Sequence, residues 1–336
     1  MVPSTTIPSA DSPAPSQPPQ QSSPSPAATA APATVFTPAY VAHLNAQLAH
    51  LEPQKIIEWA LVSLPGLYQT TAFGLTGLVI LDMISKISKD HLRSSTARSG
   101  PPTPSSSDGG AATTKTTSHK VPLIFIDTLH HFPETIELAH RAAERYGAPL
   151  HIYKPHGCTS SEDFAAKNGA RLWETDADIY DYLVKVEPAQ RAYSELSVQA
   201  YFTGRRRTQK GDRGDIPILQ LDNSQSPPMI KVNALAAWDY DTVLAYVQCN
   251  DVPYNPLIDK GYKSIGDVHS TQPTAAGEDE RDGRWRGQQK SECGLHKDYL
   301  KMRSSFLAAK KKKAALAKSG AADLVFLEAE LAPSVV

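Results

Sequence analysis

The sequence predicts an α/β fold in which a doubly wound, mostly parallel β-sheet carries helices on both faces. Segments with strand character alternate with amphipathic helical segments over most of the chain. Residues 121–126 form an uninterrupted apolar run, which is typical of a strand covered on both faces. Polar or cationic segments follow several of the predicted strands. Because ligands of such sheets bind at the carboxyl ends of the strands, these segments are candidate binding residues.

The first predicted elements are two helices and a βα unit. The helices begin near Pro38 and Pro53, and proline is tolerated there because the first N–H groups of a helix have no helical partner. A strand at 67–71, a turn at 73–77 and a helix at 78–90 then form the first βα unit.

The same alternation continues to residue 250. Predicted strands are at 121–126, 149–153, 200–203, 218–222 and 229–233, and predicted helices are at 133–146, 160–168, 179–186, 190–196 and 239–250. A further helix is expected at 300–318, where the lysines at 310–313 are typical of a solvated face.

Two segments have a composition that predicts disorder. Residues 1–35 consist almost entirely of Pro, Ser, Ala, Thr and Gln, and cannot bury enough apolar area to offset their ordering entropy. Residues 94–119 are rich in Gly, Pro, Ser and Thr and predict a surface insertion. The folded domain is then expected at 36–263, followed by a C-terminal segment at 264–303 and a helical or disordered Lys-rich extension at 304–336.

The overall composition argues against several classes of protein. The 336 residues carry a formal net charge of −1, which gives no general attraction for nucleic acid or an anionic membrane. The three cysteines form no CxxC pair, which predicts neither a disulfide framework nor a zinc knuckle. The longest apolar stretch, 73–87, contains Asp82 and Lys86 and is too short to span a bilayer. No Lys or Arg precedes Lys55, unlike a secretory or transit peptide, and we expect a cytoplasmic protein.

Cys293 is the candidate nucleophile. It lies in the segment KSECGLH at 290–296, which is polar, contains glycine and lacks apolar periodicity. The cations Lys290 and His296 favour the reactive thiolate, whereas Glu292 disfavours it by repulsion. The alternative is a buried, inert cysteine with charged neighbours, but this polar segment is a poor place to bury a small hydrophobe.

Two loops at strand ends are candidates for binding a nucleoside or an anion. Thr70, Thr71, Phe73 and Gly74 follow the first strand and precede a helix, so that backbone N–H groups and the helix dipole are presented to an anion. The alternative is an ordinary strand-to-helix turn.

Asp127 and Thr128 end the second strand, where a carboxylate can accept a hydrogen bond from a ribose hydroxyl or an amino group. The competing interpretation of Asp127 is a helix-capping aspartate. The neighbouring pair His130 and His131 has no acidic or cysteine partner at ligand spacing, and we expect no metal site.

The densest cationic cluster of the predicted domain is Arg205, Arg206 and Arg207, directly after Gly204. Guanidinium groups bind phosphate in a bidentate manner, which suits a ligand with several anionic groups. A solvated basic loop is the alternative. Arg191, Arg284 and Arg286 are weaker candidates for the same role.

Seven segments of this sequence, in this order, resemble blocks of the phosphoadenylyl-sulfate (PAPS) reductase family. They are TTAFGLTG at 70–77, FIDTLHHFPET at 125–135, KVEPAQR at 185–191, TGRRRTQ at 203–209, YKSIGDVHSTQP at 262–273, GEDERDGRWRGQQK at 277–290 and KSECGLH at 290–296. The resemblance extends from about residue 36 to about residue 299, with a gap at 94–119. The segment at 277–290 is similar to the fungal branch of the family.

The resemblance implies an adenine nucleotide α-hydrolase-like fold, with a PP-loop at 70–74 and a catalytic lid at 264–303. Ala72 stands where the family usually carries serine, which removes one hydroxyl donor. The nucleotide- and sulfate-binding residues that the resemblance implies are Thr70, Thr71, Phe73, Gly74, Asp127, Thr128, Arg191, Gly204, Arg205, Arg206, Arg284 and Arg286. The implied catalytic residues are Cys293, His296 and Lys290.

The implied reaction reduces PAPS to sulfite and adenosine 3′,5′-bisphosphate, within the assimilation of sulfate into cysteine and methionine. The Cys293 thiolate attacks the sulfonyl sulfur to form an S-sulfocysteine, and thioredoxin supplies the electrons. Reductases that use adenylyl sulfate instead bind a [4Fe-4S] cluster through a Cys-Cys pair and a CxxC, and this sequence has no CxxC. The resemblance therefore implies the cluster-free, thioredoxin-dependent branch, whose members form homodimers.

Two other interpretations stay open. A PP-loop nucleotidyltransferase, similar to the smaller subunit of sulfate adenylyltransferase, would share the sheet and the anion-binding loop but would need no thiol. An inactive nucleotide-binding regulator is suggested by Ala72 and by the charged segment at 210–215 after the arginines. Replacing Cys293 by Ser separates these classes, because a transferase would keep its activity.

Overall fold

A computed structural model of the chain describes residues 36–98, 120–287, 290, 292, 294–296 and 299–311. Residues 1–35, most of the predicted insertion and Cys293 lie outside the described residues, as do residues 312–336. The predictions made for them are not tested by the structure.

The described residues contain one six-stranded sheet with the order β3-β2-β1-β4-β6-β5. Its strands are β1 (Leu67–Thr70), β2 (Leu123–Ile126), β3 (Leu150–Tyr153), β4 (Ala200–Phe202), β5 (Leu219–Asp222) and β6 (Met229–Val232). Neighbouring strands are parallel except for the antiparallel pair β5 and β6. The predicted mostly parallel sheet is confirmed. β1 and β4 lie side by side at the point where the strand order changes direction, and a crevice opens there.

The helices lie between the strands, as the alternating pattern predicts. They are α1 (Pro38–Leu48), α2 (Pro53–Ser63), α3 (Leu75–Arg98), α4 (Pro133–Tyr146), α5 (Ser161–Asn168), α6 (Leu172–Thr175), α7 (Ala177–Asp181), α8 (Glu187–Glu195) and α9 (Tyr240–Cys249). Residues 299–311 form a C-terminal helix. It packs on the end of α7, where Phe306 stacks on Tyr182 at 4.5 Å between ring centroids.

Both faces of the sheet are covered, because successive side chains of a strand point to opposite faces. On one face, Leu123 and Phe125 belong to the main core with α1, α2, α3, α4 and α9. On the other face, Ile124 and Ile126 pack against Ala189 and other residues of α8. The predicted doubly wound arrangement is therefore confirmed.

The predicted turn at 73–77 is wrong in its second half, because α3 begins at Leu75 rather than at residue 78. Gly77 lies in the first turn of this helix, and a Cβ atom there would stand 2.6 Å from Thr71 Oγ1. The glycine that suggested a turn is required instead by the close approach of a side chain. The helix also continues to Arg98, past the predicted start of the insertion at residue 94.

The two helices predicted at 179–186 and 190–196 are one continuous helical segment. A π-helical turn, Tyr182–Val186, joins α7 to α8, and the N–H of Glu187 bonds to the carbonyl of Tyr182. Pro188 follows directly, and proline in a regular α-helix removes a hydrogen bond and clashes with a carbonyl of the preceding turn. The wider π turn accommodates the proline without breaking the helix.

Candidate active site

A cleft of about 240 Å³ opens at the carboxyl ends of β1 and β4. Most of the predicted binding residues line it: Thr70, Thr71, Phe73, Gly74, Thr128, Gly204, Arg205, Arg206 and Arg284. The cleft therefore lies where a parallel sheet of this topology binds its ligands.

The loop after β1 is shaped by its own side chains. Thr71 Oγ1 accepts a hydrogen bond of 2.9 Å from the N–H of Phe73, which closes a tight turn. Phe73 has a φ of +56°, and its buried ring packs edge-on against Phe125. This conformation is rare for a bulky residue, and the buried ring contact offsets its strain. Ala72 and Gly74 are thereby left exposed ahead of the positive end of α3.

The loop after β4 packs directly on the first turn of α3. A Cβ atom on Gly204 would stand 3.3 Å from the backbone N of Gly77, so this position leaves little room for a side chain. The next two residues, Arg205 and Arg206, are only 5% and 2% exposed and line the cleft. Glycine at this position thus allows the arginine-bearing loop to lie against the anion-binding loop.

Arg206 is held from several sides. Its Nε donates to Thr76 Oγ1 at 2.9 Å, and Nη2 pairs with Glu280 Oε2 at 2.5 Å. Arg205 donates from Nη1 to Gln220 Oε1 at 3.2 Å. Such contacts fix each guanidinium before a ligand arrives, which lowers the entropy cost of binding.

The cleft is cationic. Among its described lining residues, seven carry a positive charge, namely Lys185, Arg205, Arg206, Arg213, Lys263, Arg281 and Arg284, and three are carboxylates, namely Asp267, Glu280 and Glu292. The excess of positive charge favours a ligand with several anionic groups. No binding role was predicted for Lys185, Arg213, Lys263 or Arg281, which the fold brings to the cleft from separate segments of the chain.

Asp267 is a buried carboxylate at the base of the cleft that the sequence reasoning missed. It accepts from Thr128 Oγ1 at 2.6 Å and from Lys185 Nζ at 2.7 Å, and it is 1% exposed. Burial alone would raise the pKa of Asp267, but the adjacent Lys185 ammonium and the hydrogen bonds hold that pKa well below its usual range. The carboxylate therefore stays charged and joins the loop at 264–271 to the end of β2.

Three cations surround the ring of Trp285, which is buried and has a φ of +51°. The charged groups of Arg284, Lys290 and Arg281 lie 4.4, 5.3 and 5.5 Å from its centroid. The N–H of Trp285 bonds to the carbonyl of Ser270 at 3.0 Å. Cation–π contacts thus gather positive charge next to the cleft; of these three cations, the sequence had indicated a role for Arg284 and Lys290 but not for Arg281.

Lys290 forms a salt bridge with Asp181 at 2.7 Å, and its side chain is 13% exposed. Lys290 is not among the described residues that line the cleft. A buried carboxylate therefore compensates the charge of Lys290, and its role beside Cys293 stays a prediction. His296 ends the 3-10 turn Gly294–His296, and its side chain, like Cys293, lies outside the described residues.

The structure places three predicted binding residues away from the lining of the cleft. Arg191 pairs with Glu187 at 2.9 Å, and Arg286 pairs with Glu278 at 2.6 Å. Asp127 accepts from the N–H of Leu129 at 2.9 Å and thus closes a local turn, whereas the following helix α4 is capped at Phe132 and not at Asp127. Each of these three side chains thus forms an ion pair or a hydrogen bond with a residue close to it in the sequence.

Gly283 and Gly294, in the C-terminal segment, lie where neighbouring atoms leave no room for a side chain. A Cβ atom on Gly283 would stand 2.2 Å from the carbonyl oxygen of Gln272, and one on Gly294 would stand 2.8 Å from Cβ of Asp181. Both glycines therefore allow close packing.

Within the part of the chain that the structure describes, no three His, Cys, Asp or Glu residues are grouped so that they could hold a metal ion. The described helices include none that is both long enough and apolar enough to cross a membrane.

The chain is similar to known proteins over most of its length. Residues 66–273 match the phosphoadenosine phosphosulfate reductase domain. The sequence is 52% identical over 266 residues to a phosphoadenosine phosphosulfate reductase of Emericella nidulans, which covers 79% of this chain and 78% of that protein. It is 46% identical over 267 residues to the Saccharomyces cerevisiae phosphoadenosine phosphosulfate reductase, which covers 78% of this chain and 91% of that protein.

The structure is also similar to a crystal structure of phosphoadenylyl-sulfate (PAPS) reductase from Candida auris in a phosphate complex. The TM-score is 0.57 at 48% sequence identity, and the match covers 71% of this chain and 99% of that one.

Proposed function

This chain belongs to the phosphoadenosine phosphosulfate reductase family, and on that premise we propose that it reduces PAPS to sulfite and adenosine 3′,5′-bisphosphate. One observation carries this proposal beyond family membership. Glu292 directly precedes Cys293 in the sequence, and Leu295 follows two residues after it. Both Glu292 and Leu295 line the cationic cleft. Cys293, the only cysteine in the sequence of the C-terminal segment at 264–303, therefore lies between residues that line the anion-binding cleft.

In the first half-reaction the Cys293 thiolate attacks the sulfonyl sulfur of PAPS. A bond forms between the cysteine sulfur and the sulfonyl sulfur, and the bond from that sulfur to the phosphate oxygen breaks. The products are an S-sulfocysteine and adenosine 3′,5′-bisphosphate, which leaves with the electron pair of the broken bond. Positive groups aimed at the departing phosphate stabilise the charge that develops there.

In the second half-reaction a thioredoxin thiolate attacks the Cys293 sulfur and expels sulfite. The second thioredoxin cysteine then attacks the mixed disulfide and releases the Cys293 thiolate. Thioredoxin is oxidised by two electrons to its disulfide, and the sulfur of the substrate is reduced from the level of sulfate to that of sulfite. This chain therefore acts as carrier of the sulfonate, and its partner is the reductant.

The binding residues divide into two groups by their position. Thr70, Thr71 and Gly74 precede the positive end of α3 and would hold an anionic group through backbone N–H groups. Arg205 and Arg206 enter the cleft from the other side and would hold a second anionic group. His296 remains the proposed cation beside the thiol.

We further propose that the enzyme works without an iron–sulfur cluster, as a homodimer, in the cytoplasm. The three cysteines contain no CxxC, and a dependence on reduced thioredoxin fits a reducing compartment.

The decisive experiment supplies the purified protein with PAPS and reduced thioredoxin and measures sulfite. We expect sulfite from the wild-type protein and none from Cys293→Ser, which retains the shape of the side chain but not its nucleophilicity. Mass spectrometry without reductant should show one added SO3 on Cys293. A wild-type protein that forms neither sulfite nor this adduct would refute the proposal.

The two alternative functions give different results in the same assay. A nucleotidyltransferase would use the same sheet and loop but would be indifferent to Cys293→Ser. An inactive regulator would bind adenosine 3′,5′-bisphosphate and release no sulfite. The cysteine between cleft-lining residues favours the reductase over both.

A further inference from the structure

Asp181 is completely buried at the end of α7. Its Oδ1 accepts from Lys185 Nζ at 3.1 Å, and its Oδ2 accepts from Lys290 Nζ at 2.7 Å and from the backbone N–H of Gly294 at 3.0 Å. Two of these three donors belong to the C-terminal segment, and they stand on either side of Cys293 in the sequence. A carboxylate can accept several hydrogen bonds at once, and Asp181 uses this capacity to hold that segment.

The bond from Gly294 acts close to the proposed nucleophile. Gly294 directly follows Cys293 in the sequence, so its hydrogen bond to Asp181 anchors the chain at the residue next to the proposed nucleophile. A side chain at 294 would clash with Asp181 and would stand 3.1 Å from Val186. Glycine is thus required for this hydrogen bond to form at its observed length.

The same carboxylate is connected to the base of the cleft. Lys185 bridges Asp181 and Asp267, and Asp267 accepts from Thr128, which lines the cleft. The chain of contacts from Lys290 to Asp267 contains two ammonium groups and two carboxylates, and its charges balance. Removing one carboxylate would leave two cations with only one carboxylate, and the uncompensated positive charge is costly in a low-dielectric interior.

We propose that Asp181 is a positioning residue for the reaction of Cys293, holding Lys290 and the peptide after Cys293 so that the thiol is directed at the bound substrate. This inference rests on the proposed function. Asp181 is not among the described residues that line the cleft, and we place it outside the substrate contacts. It acts on the geometry of attack, and a displacement of the order of 1 Å at a reacting atom can cost about 100-fold in rate.

The test compares Asp181→Asn with wild type in two measurements. Asparagine has nearly the same shape but lacks the charge. The affinity for adenosine 3′,5′-bisphosphate, measured by calorimetry, should stay within about twofold of wild type. The single-turnover rate of SO3 addition to Cys293, measured by intact mass with saturating PAPS, should fall about tenfold or more. Replacing a residue that has a merely structural role would lower the nucleotide affinity and the rate of SO3 addition together.

Asp82→Asn is the matched control. Asp82 is also a buried helical carboxylate, and it pairs with Lys86 four residues later at 2.7 Å, away from the described lining of the cleft. We expect its rate of SO3 addition to equal that of wild type. If Asp181→Asn does not fold, Lys290→Met replaces it, since methionine has a similar length and no donor, and the same separation of affinity and rate is expected.

Several outcomes would overturn the inference. A wild-type rate of SO3 addition in the folded Asp181→Asn protein, or in Lys290→Met where that variant replaces it, would do so. Equal losses of affinity and rate would also do so, because they indicate general disruption. A wild-type protein that acquires no SO3 at all would instead refute the proposed function itself, before any variant is compared.

Discussion

Arg213 holds Glu292 through two parallel hydrogen bonds, Nε to Oε2 and Nη2 to Oε1, each 2.6 Å long. The two residues are 79 positions apart in the sequence, and both side chains are buried. A bidentate pair of this kind fixes orientation as well as distance. The residue before Cys293 is thereby joined to the segment that follows the arginine loop, and its negative charge is compensated by Arg213 instead of opposing a thiolate.

Arg206→Lys should weaken the binding of adenosine 3′,5′-bisphosphate about tenfold. A lysine has one cationic centre and cannot keep the contacts of the guanidinium with Thr76 and Glu280 while also facing a phosphate. Isothermal titration calorimetry measures the affinity. Arg286→Lys is the control, because Arg286 pairs with Glu278 and is not among the described lining residues. Equal losses in the two variants would show that the cleft is not the nucleotide site.

Gly204→Ala should lower nucleotide affinity and destabilise the protein by about 1 kcal/mol. The added Cβ would lie 3.3 Å from the backbone of Gly77 and force the arginine-bearing loop away from α3. Urea denaturation and calorimetry measure the two effects. Gly214→Ala serves as the control, since the nearest atom to a Cβ there is at 3.6 Å and should leave both quantities unchanged. A wild-type affinity in Gly204→Ala would contradict the proposed role of this contact.

His269 should make the free energy of unfolding depend on pH between 6.5 and about 4. It stacks on Trp173 at 4.2 Å, and burial lowers the pKa of His269 from 6.5 to about 4, although Asp267 opposes this. The unfolded chain binds this proton near pH 6.5, whereas the folded protein binds it only near pH 4. Acidification through this window therefore favours unfolding, and the contribution is fully present only above pH 6.5.

His269→Phe keeps a ring on Trp173 and removes the titration. Urea unfolding at a series of pH values should show a smaller loss of stability on acidification in this variant than in wild type. His43→Gln, at an exposed position, is the control and should keep the wild-type dependence. An unchanged pH dependence in His269→Phe would contradict the assignment.

The segment at 277–299 should gain hydrogen-exchange protection when adenosine 3′,5′-bisphosphate binds. In the proposed reaction one cysteine reacts first with a nucleotide and then with a thioredoxin thiol, and this sequence of partners would require the segment to open and close. Exchange measured by mass spectrometry with and without nucleotide reports the change. Strand β2, buried in the sheet, is the internal reference and should show equal exchange in both states. Identical protection of 277–299 with and without nucleotide would argue against a lid at 264–303.

Much of the site could be found from short stretches of sequence. The loop at 70–74 and the arginines after Gly204 are contiguous, and their position after strands could be inferred from apolar periodicity. Arg191 shows where a local signal was overlooked. Glu187 stands four residues earlier on a helix, a spacing that favours an ion pair, and the structure shows that pair.

The order of strands and helices, the anion-binding loop and the candidate thiol could all be predicted before the fold was known, because these predictions depend on neighbouring residues and on a two- or 3.6-residue period. The pairing of buried charges, in contrast, could be seen only once distant segments were folded together. Lys185 meets Asp267 across 82 positions, and Arg206 meets Glu280 across 74. Such partners are chosen by the packing of distant segments, since a buried charge is tolerated only where the fold brings an opposite charge to it.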